Sequence, residues 1–293
     1  MSRWPPPPSA DTAFYKAHGL GNDYLVFEEG DAWTLTPERV ARICDPHRGV
    51  GSDGIVVLLR DRSGGVYRAR MFNPDGSEFE RSGNGLRVLA GYLTRGAPGR
   101  DEFPVEVGGR RVTLHVHGRE AARVDVSVDM GRAETGPAAI AMDPEALDRE
   151  GIMVGPDGDL LAVVPVSVGN PHLVVSCDEL SEEGLRRIGA YLVAHPALEH
   201  GANVQLASRA APGVVRALVW ERGVGPTSAS GTSACAVAVA AVVRGWEPPS
   251  ELRVEMPGGA LTVAVSAELD LRLRGPVEEV CTGTLLDLMK TAP

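Results

Sequence analysis

Three short segments of this chain recur at one fixed spacing of 148 positions, and that register restricts the fold more than any other feature of the sequence. Ser82-Gly83-Asn84-Gly85 returns as Ser230-Gly231-Thr232-Ser233, and Gly21-Asn22-Asp23-Tyr24-Leu25-Val26 returns as Gly169-Asn170-Pro171-His172-Leu173-Val174. Val66-Tyr67-Arg68-Ala69 returns as Val214-Val215-Arg216-Ala217 in the same register. The chain therefore reads as two copies of one half-domain. Its 293 residues are long for a single core and suit two units of roughly 140 residues. A site built by such a chain is expected to have two similar walls. It should hold one small ligand between two helix N-termini, with one serine presented from each side. That geometry suits an enzyme that takes a proton from one face of a carbon and returns it on the other.

Composition removes several other classes. A hydrophobic fraction of 43% with 23% charged residues is that of an ordinary folded protein. A net charge of −10 argues against nucleic-acid or anionic-membrane partners, which need a basic face. Cys44, Cys177, Cys235 and Cys281 form no CxxC pair and read as reduced thiols of a cytoplasmic protein. No apolar run reaches the length of a membrane span. His47 and His172 have no neighbour at metal-ligand spacing, so no metal site is expected. Gly49-Val50-Gly51-Ser52-Asp53-Gly54 is glycine-rich but lacks the lysine of a nucleotide loop, and no helix pattern follows it.

Residues 1–13, with Pro5-Pro6-Pro7-Pro8, read as a loose polar tail. The halves are expected at 14–135 and 136–293, with a return of the last strand to the first half left open. Ala13 to Glu28 begins strand-like, and Thr36-Pro37-Glu38 opens a helix that should end near Cys44. Val66 to Phe72 reads as a strand and Asn73-Pro74-Asp75-Gly76 as a turn. Ser82 to Thr94 reads as a helix with Leu86, Leu89, Ala90 and Leu93 on one face. Val112 to Val116 and Val124 to Val128 alternate as antiparallel strands do. In the second half, two strands are expected within Leu160 to Ser176, and Ser181 should cap a helix ending by Pro196. Val214 to Trp220 is the strand before the second serine motif. Ala234 to Val243 is apolar enough to be buried nearly all round. A hairpin through Pro257-Gly258-Gly259 and a last strand at Leu269 to Leu273 complete an α+β arrangement.

A helix N-terminus leaves backbone N–H groups unpaired and carries partial positive charge, so a carboxylate can be held there without a basic side chain. Gly83 and Gly231, lacking Cβ, allow close approach. Ser82 and Ser230 would then flank the carbon next to that carboxylate. Taken singly, each serine is as well read as an ordinary N-cap; the paired occurrence favours chemistry. Asn22, Asn73, Asn170 and Asn203 supply amides in loops, with Asn84 and Thr232 at the helix starts. Arg222 is suited to a carboxylate and Glu221 to an ammonium, so together these groups fit a zwitterion.

The segments His18-Gly19-Leu20-Gly21-Asn22-Asp23, Asn73-Pro74-Asp75-Gly76-Ser77-Glu78, Gly83-Asn84-Gly85, Gly169-Asn170-Pro171-His172, Glu221-Arg222-Gly223 and Gly231-Thr232 resemble those of diaminopimelate epimerases, in that family's order and spacing. The ending Gly275-Pro276-Val277-Glu278-Glu279-Val280 is similar to the family's last strand, so the resemblance runs from about Phe14 to Leu286. It implies two pseudo-symmetric halves, each an antiparallel β-barrel-like sheet around a central helix. It also implies inversion at an amino-acid α-carbon without pyridoxal phosphate, other cofactor or metal, a cytoplasmic role in lysine biosynthesis, and a homodimer. The positions holding the far end of the substrate in that family are kept as Asn22, Asn73, Asn170, Asn203, Glu221 and Arg222.

The family's two catalytic cysteines, however, fall on Ser82 and Ser230. A thiol titrates near pH 8.5 and lower at a helix N-terminus, whereas an alkanol is far less acidic. Serine can still pass a proton if His172 or Glu221 takes it up. The family's glutamate in the loop after Glu221-Arg222-Gly223 falls on Pro226, and Arg81 precedes the first serine, departures that fit natural divergence. Three readings stay open at this point: an epimerase, a diverged isomerase or dehydratase that works on one face, and a binding protein without turnover.

Overall fold

A computed structural model of the chain describes residues 12–30, 36–60, 65–80 and 82–286. Most of the expected polar tail, and Arg81, lie outside the described residues. In chain order the elements are β1 (Ala13–Gly19), β2 (Asn22–Glu28), α1 (Pro37–Cys44), β3 (Ile55–Leu58), β4 (Tyr67–Phe72), β5 (Glu78–Phe79), α2 (Gly83–Gly96), β6 (Glu102–Val107), β7 (Arg110–Glu120) and β8 (Arg123–Arg132). There follow β9 (Glu134–Thr135), β10 (Ile152–Val154), β11 (Leu160–Ser167), β12 (Pro171–Ser176), α3 (Glu182–Val193), β13 (Asn203–Ala211), β14 (Val214–Glu221), β15 (Gly225–Thr227), α4 (Gly231–Val243), β16 (Glu251–Met256), β17 (Gly259–Val265) and β18 (Asp270–Thr284). The chain divides into two compact units, one running to Val128 and resuming at Pro276, the other spanning Asp129–Gly275. β8 and β18 each pass from one unit into the other.

In the first unit, β1 and β2 form a hairpin with Phe14 opposite Phe27. Its two turn residues, Leu20 and Gly21, have φ of 56° and 88°, the left-handed pair that matches the twist of a two-residue hairpin. β2 pairs in parallel with β3, and α1 supplies the crossover that a parallel pair needs. Thr36 caps α1, accepting from the Arg39 N–H, with Pro37 at the first helical position. β3 pairs antiparallel with β4 and β4 in parallel with β6, across α2. β6, β7 and β8 form a meander, and β18 pairs with both β8 and β1, closing a ring of eight strands.

α2 lies against β1, β2, β3 and β7. A helix inside a ring of strands has no solvent face, which is why Gly83 to Gly91 are all buried rather than a single stripe. Gly91 passes beneath Tyr15, whose Oη would lie 2.8 Å from any Cβ placed there. A second, smaller core of Leu25, Phe27, Val40, Ile43, Ile55 and Phe72 packs under α1.

The second unit repeats this plan element by element. β11–β12, α3, β13, β14, β15, α4, β16, β17 and β18 follow in the order of β1–β2, α1, β3, β4, β5, α2, β6, β7 and β8, and Gly83 and Gly231 begin the two central helices 148 positions apart. The parallel pairs recur as β12 with β13 and β14 with β16. β9 pairs with β11, and β8 with β18, which pairs with β17. α4 starts at Gly231, three residues before the apolar run that announced it, and is buried from Ser233 to Ala241. β18 is 15 residues long, where alternation suggests only Leu269 to Leu273. Its later residues, Glu278, Glu279 and Val280, mix charge and exposure and hide the strand pattern. The short strands β5, β6, β10 and β15, and the longer β13, add to those legible in the sequence.

Candidate active site

The first unit assembles its polar groups at the start of α2. Ser82 is the N-cap, with extended backbone (φ −128°, ψ 131°), and its Oγ accepts the Gly85 N–H at 3.1 Å. Its own N–H points at Met71 Sδ, 3.3 Å away. Asn84, in the first turn of the helix and buried, donates from Nδ2 to Asn22 Oδ1 at 2.9 Å. Asn22 in turn donates to Asp53 Oδ2 at 3.1 Å, and the Asp23 N–H donates to the same oxygen at 2.9 Å. Burial, and then the neighbouring Asp23 carboxylate, push the Asp53 carboxyl above its ordinary range despite these donors. Lys16 Nζ lies 2.9 Å from Asp23 Oδ2. Thus Asn22, Gly83 and Asn84 are brought together with Ser82. Asn73 instead donates to Ser77 Oγ at 2.9 Å within its own turn, which is closed by the Gly76 N–H to Asn73 O bond.

The second unit builds the equivalent group at the start of α4. Ser230 is the N-cap in nearly the same backbone conformation (φ −147°, ψ 130°), is 6% exposed, and makes no side-chain capping hydrogen bond. Asn170, the counterpart of Asn22, reaches Thr232 Oγ1, the counterpart of Asn84, at a long 3.5 Å. His172 is fully buried. Its Nε2 lies 2.9 Å from Asn170 Oδ1, an acceptor, so Nε2 carries the hydrogen; Nδ1 then accepts from Gln205 Nε2 at 3.1 Å. Gln205 Nε2 also donates to Ser233 Oγ at 3.0 Å. Burial, helped by the Arg222 charge, pushes the imidazole down to about 3 although the Gln205 bond opposes it. His172 is therefore a neutral ring with both nitrogens engaged. In this arrangement it holds Asn170 in place and has no free lone pair with which to take a proton from Ser230.

Asn203 joins two loops of the same unit: its Oδ1 accepts the Arg222 N–H at 2.9 Å and its Nδ2 donates to Pro171 O at 3.4 Å. The loop carrying Arg222 is thereby fixed to the one carrying Asn170. The Arg222 guanidinium donates to the His200 carbonyl and, at 3.5 Å, to that of Gly201. Arg222 is exposed, and Glu221 is half-buried at the end of β14. Pro226 sits opposite Trp220 on the three-residue strand β15, an edge position that tolerates the missing N–H. Among the described residues no group of three or more His, Cys, Asp or Glu side chains is placed to hold a metal ion.

Among the members of these networks not singled out from the sequence are Gln205, Ser233 and Arg87, whose guanidinium donates to Asn84 Oδ1. The available signal was a polar residue inside an otherwise apolar stretch, as in Asn203-Val204-Gln205-Leu206 and Gly85-Leu86-Arg87-Val88-Leu89. A buried polar side chain at such a place must find partners.

A profile of the diaminopimelate epimerase family matches residues 14–136 and 164–280. A diaminopimelate epimerase of Desulforudis audaxviator (strain MP104C) is 40% identical over 274 residues, covering 92% of this chain and 98% of that protein. One from Synechococcus sp. (strain JA-3-3Ab) is 37% identical over 280 residues, covering 93% and 97%. The chain belongs to the diaminopimelate epimerase family. The fold itself is shared more widely. A hydroxyproline epimerase from Agrobacterium vitis superposes with a TM-score of 0.65 at 13% identity, covering 95% of this chain and 93% of that one. A phenazine biosynthesis protein from Bacillus anthracis superposes with 0.64 at 17% identity, covering 94% and 99%. Family membership thus comes from sequence, and these two structures speak for the fold alone.

Proposed function

We propose that this chain inverts the α-carbon of a diaminodicarboxylic or closely related amino acid without a cofactor, with Ser82 and Ser230 as the two proton-transfer groups. The observation that carries the reading is that both serines are N-caps of equivalent central helices in a chain whose relatives are named diaminopimelate epimerases. Backbone N–H groups at Gly83, Asn84, Gly231 and Thr232 are the donors for the α-carboxylate, which draws electron density from the carbon as its proton leaves. Asn22, Asn170 and Asn203 recognise the remaining polar groups; Asn73, bound within its own turn, stands outside this set. Arg222 takes the distal carboxylate.

The serine hydroxyl needs help that a thiol does not. The partial positive charge of the helix start stabilises the alkoxide. Glu221 is the group that receives the proton of Ser230, while neutral His172 keeps Asn170 and, through it, Thr232 in position. In this reading the enzyme is a cytoplasmic homodimer that serves a step of amino-acid biosynthesis.

The test is to incubate the purified protein with LL-diaminopimelate and resolve the products by chiral chromatography. Accumulation of the meso form supports the reading. A dehydrated product would replace it with one-face elimination. Tight binding in calorimetry with no product would replace it with a binding protein, the reading favoured by the capped hydroxyl of Ser82 and the neutral ring of His172.

A further inference from the structure

Arg87 is the largest fully buried side chain among the described residues, and it sits in α2 one turn beyond Asn84. Its Nη2 donates to Asn84 Oδ1. From there the donors all point one way: Asn84 Nδ2 to Asn22 Oδ1 at 2.9 Å, and Asn22 Nδ2 to Asp53 Oδ2 at 3.1 Å. A buried guanidinium stands at one end of this row and a carboxylate at the other, with two amides aligned between them. Such a row is self-reinforcing, because each amide polarised by the bond before it is a better donor to the next. It also removes the freedom of the two amides to turn over. An asparagine amide flipped by a half-turn exchanges its acceptor for its donors. Asn84 flipped would point N–H at the guanidinium, and Asn22 would lose its donor in turn.

We propose that Arg87 is a positioning residue that fixes which way the amides of Asn84 and Asn22 face, and so which donors they leave for a bound carboxylate or amine. The proposal rests on the reading that these asparagines meet the substrate. Each amide spends one N–H and one acceptor position on the row and keeps one N–H free of it, directed by the guanidinium at the head of the row. Gly19 gives a second handle on the same contact. A Cβ there would lie 2.8 Å from Arg87 Nη2 and 3.3 Å from Asn84 Oδ1, so Gly19→Ala presses on the Arg87–Asn84 bond while leaving the charge in place.

Two measurements decide it. In the ligand-free, isotope-labelled protein, the side-chain amide resonances of Asn84 and Asn22 should both shift in Arg87→Met and in Gly19→Ala. Arg87→Lys, which keeps a cationic donor, should restore them in part. Calorimetric binding of meso-diaminopimelate should weaken about 10- to 150-fold in Arg87→Met, the size of one lost charged hydrogen bond, and less in Arg87→Lys. Asn22 resonances unmoved in all three variants would overturn the relay, as would meso-diaminopimelate affinity unchanged beside a shifted Asn84. If Arg87→Met does not fold, Gly19→Ala and Arg87→Lys carry both readouts. If the native protein binds no meso-diaminopimelate, the proposed function fails while the amide resonances still decide the relay.

Discussion

Ser82→Ala and Ser230→Ala are the same substitution at equivalent positions of the two central helices, yet they should differ in stability and agree in activity. Ser82 Oγ accepts the Gly85 N–H at 3.1 Å, so its loss uncaps α2 at a cost of about 1 kcal/mol, within the 0.5–2 typical of N-caps. Ser230 is buried but makes no such bond, so its replacement loses no cap and should cost about 1 kcal/mol less. A difference near 1 kcal/mol is about a fivefold difference in the folding equilibrium. Urea titrations followed by far-ultraviolet circular dichroism would read this as a lower midpoint for Ser82→Ala at unchanged slope. Inversion, by contrast, needs one group on each face, so each variant should lose about 10²–10⁴ in rate. Equal destabilisation, or a larger loss at Ser230, would refute the capping argument. Retention of inversion by either variant would refute the assignment of that serine to proton transfer.

Restoring thiols should raise activity: Ser82→Cys with Ser230→Cys introduces groups titrating near neutral pH, and the double variant should gain more than the two singles combined, as measured by LL-to-meso conversion. Arg222→Ala should weaken binding of meso-diaminopimelate by about 1.5–3 kcal/mol in calorimetry; unchanged binding would remove Arg222 from the distal carboxylate. Stability should also depend on pH through His172. Its imidazole titrates near 6.5 when unfolded but is pushed down to about 3 in the fold, so below pH 6.5 the unfolded chain binds the extra proton. Stability should fall as pH drops from about 6.5 toward 3, by up to about 1.4 kcal/mol per unit. His172→Gln should show a shallower slope between pH 6.5 and 5 in matched urea titrations; an identical slope would mean that the imidazole is accessible to protons.

The repeat is legible in the sequence because three matched segments keep one offset of 148 positions, even though the helices α1 and α3 between them differ in length, so Ser82 and Ser230 announce equivalent helix starts by spacing alone. The capped helices at Thr36, Ser82 and Ser181 are legible for a local reason, since a cap is written within four residues. What lies beyond the sequence is long-range. Parallel pairing of β12 with β13 sets His172 opposite Asn203, and α4 brings in Ser233 as a partner of Gln205, so the network around the buried imidazole draws on three separate segments. Nothing in the spacing of His172 announces Gln205, 33 positions away. Likewise α2 reads as a helix with one apolar face, because Arg87 and the glycines interrupt the pattern. Only enclosure by the ring of strands explains why that arginine is buried too.

The most direct test of the account is deuterium incorporation during a single conversion of LL-diaminopimelate in D₂O. A two-group mechanism removes the α-proton on one face and delivers a solvent-derived one on the other. The meso product should therefore carry one deuterium at the inverted carbon, while recovered substrate carries none in the early reaction. Deuterium appearing equally early in substrate and product would mean a single group exchanging on one face, and would contradict the assignment of Ser82 and Ser230 as a pair.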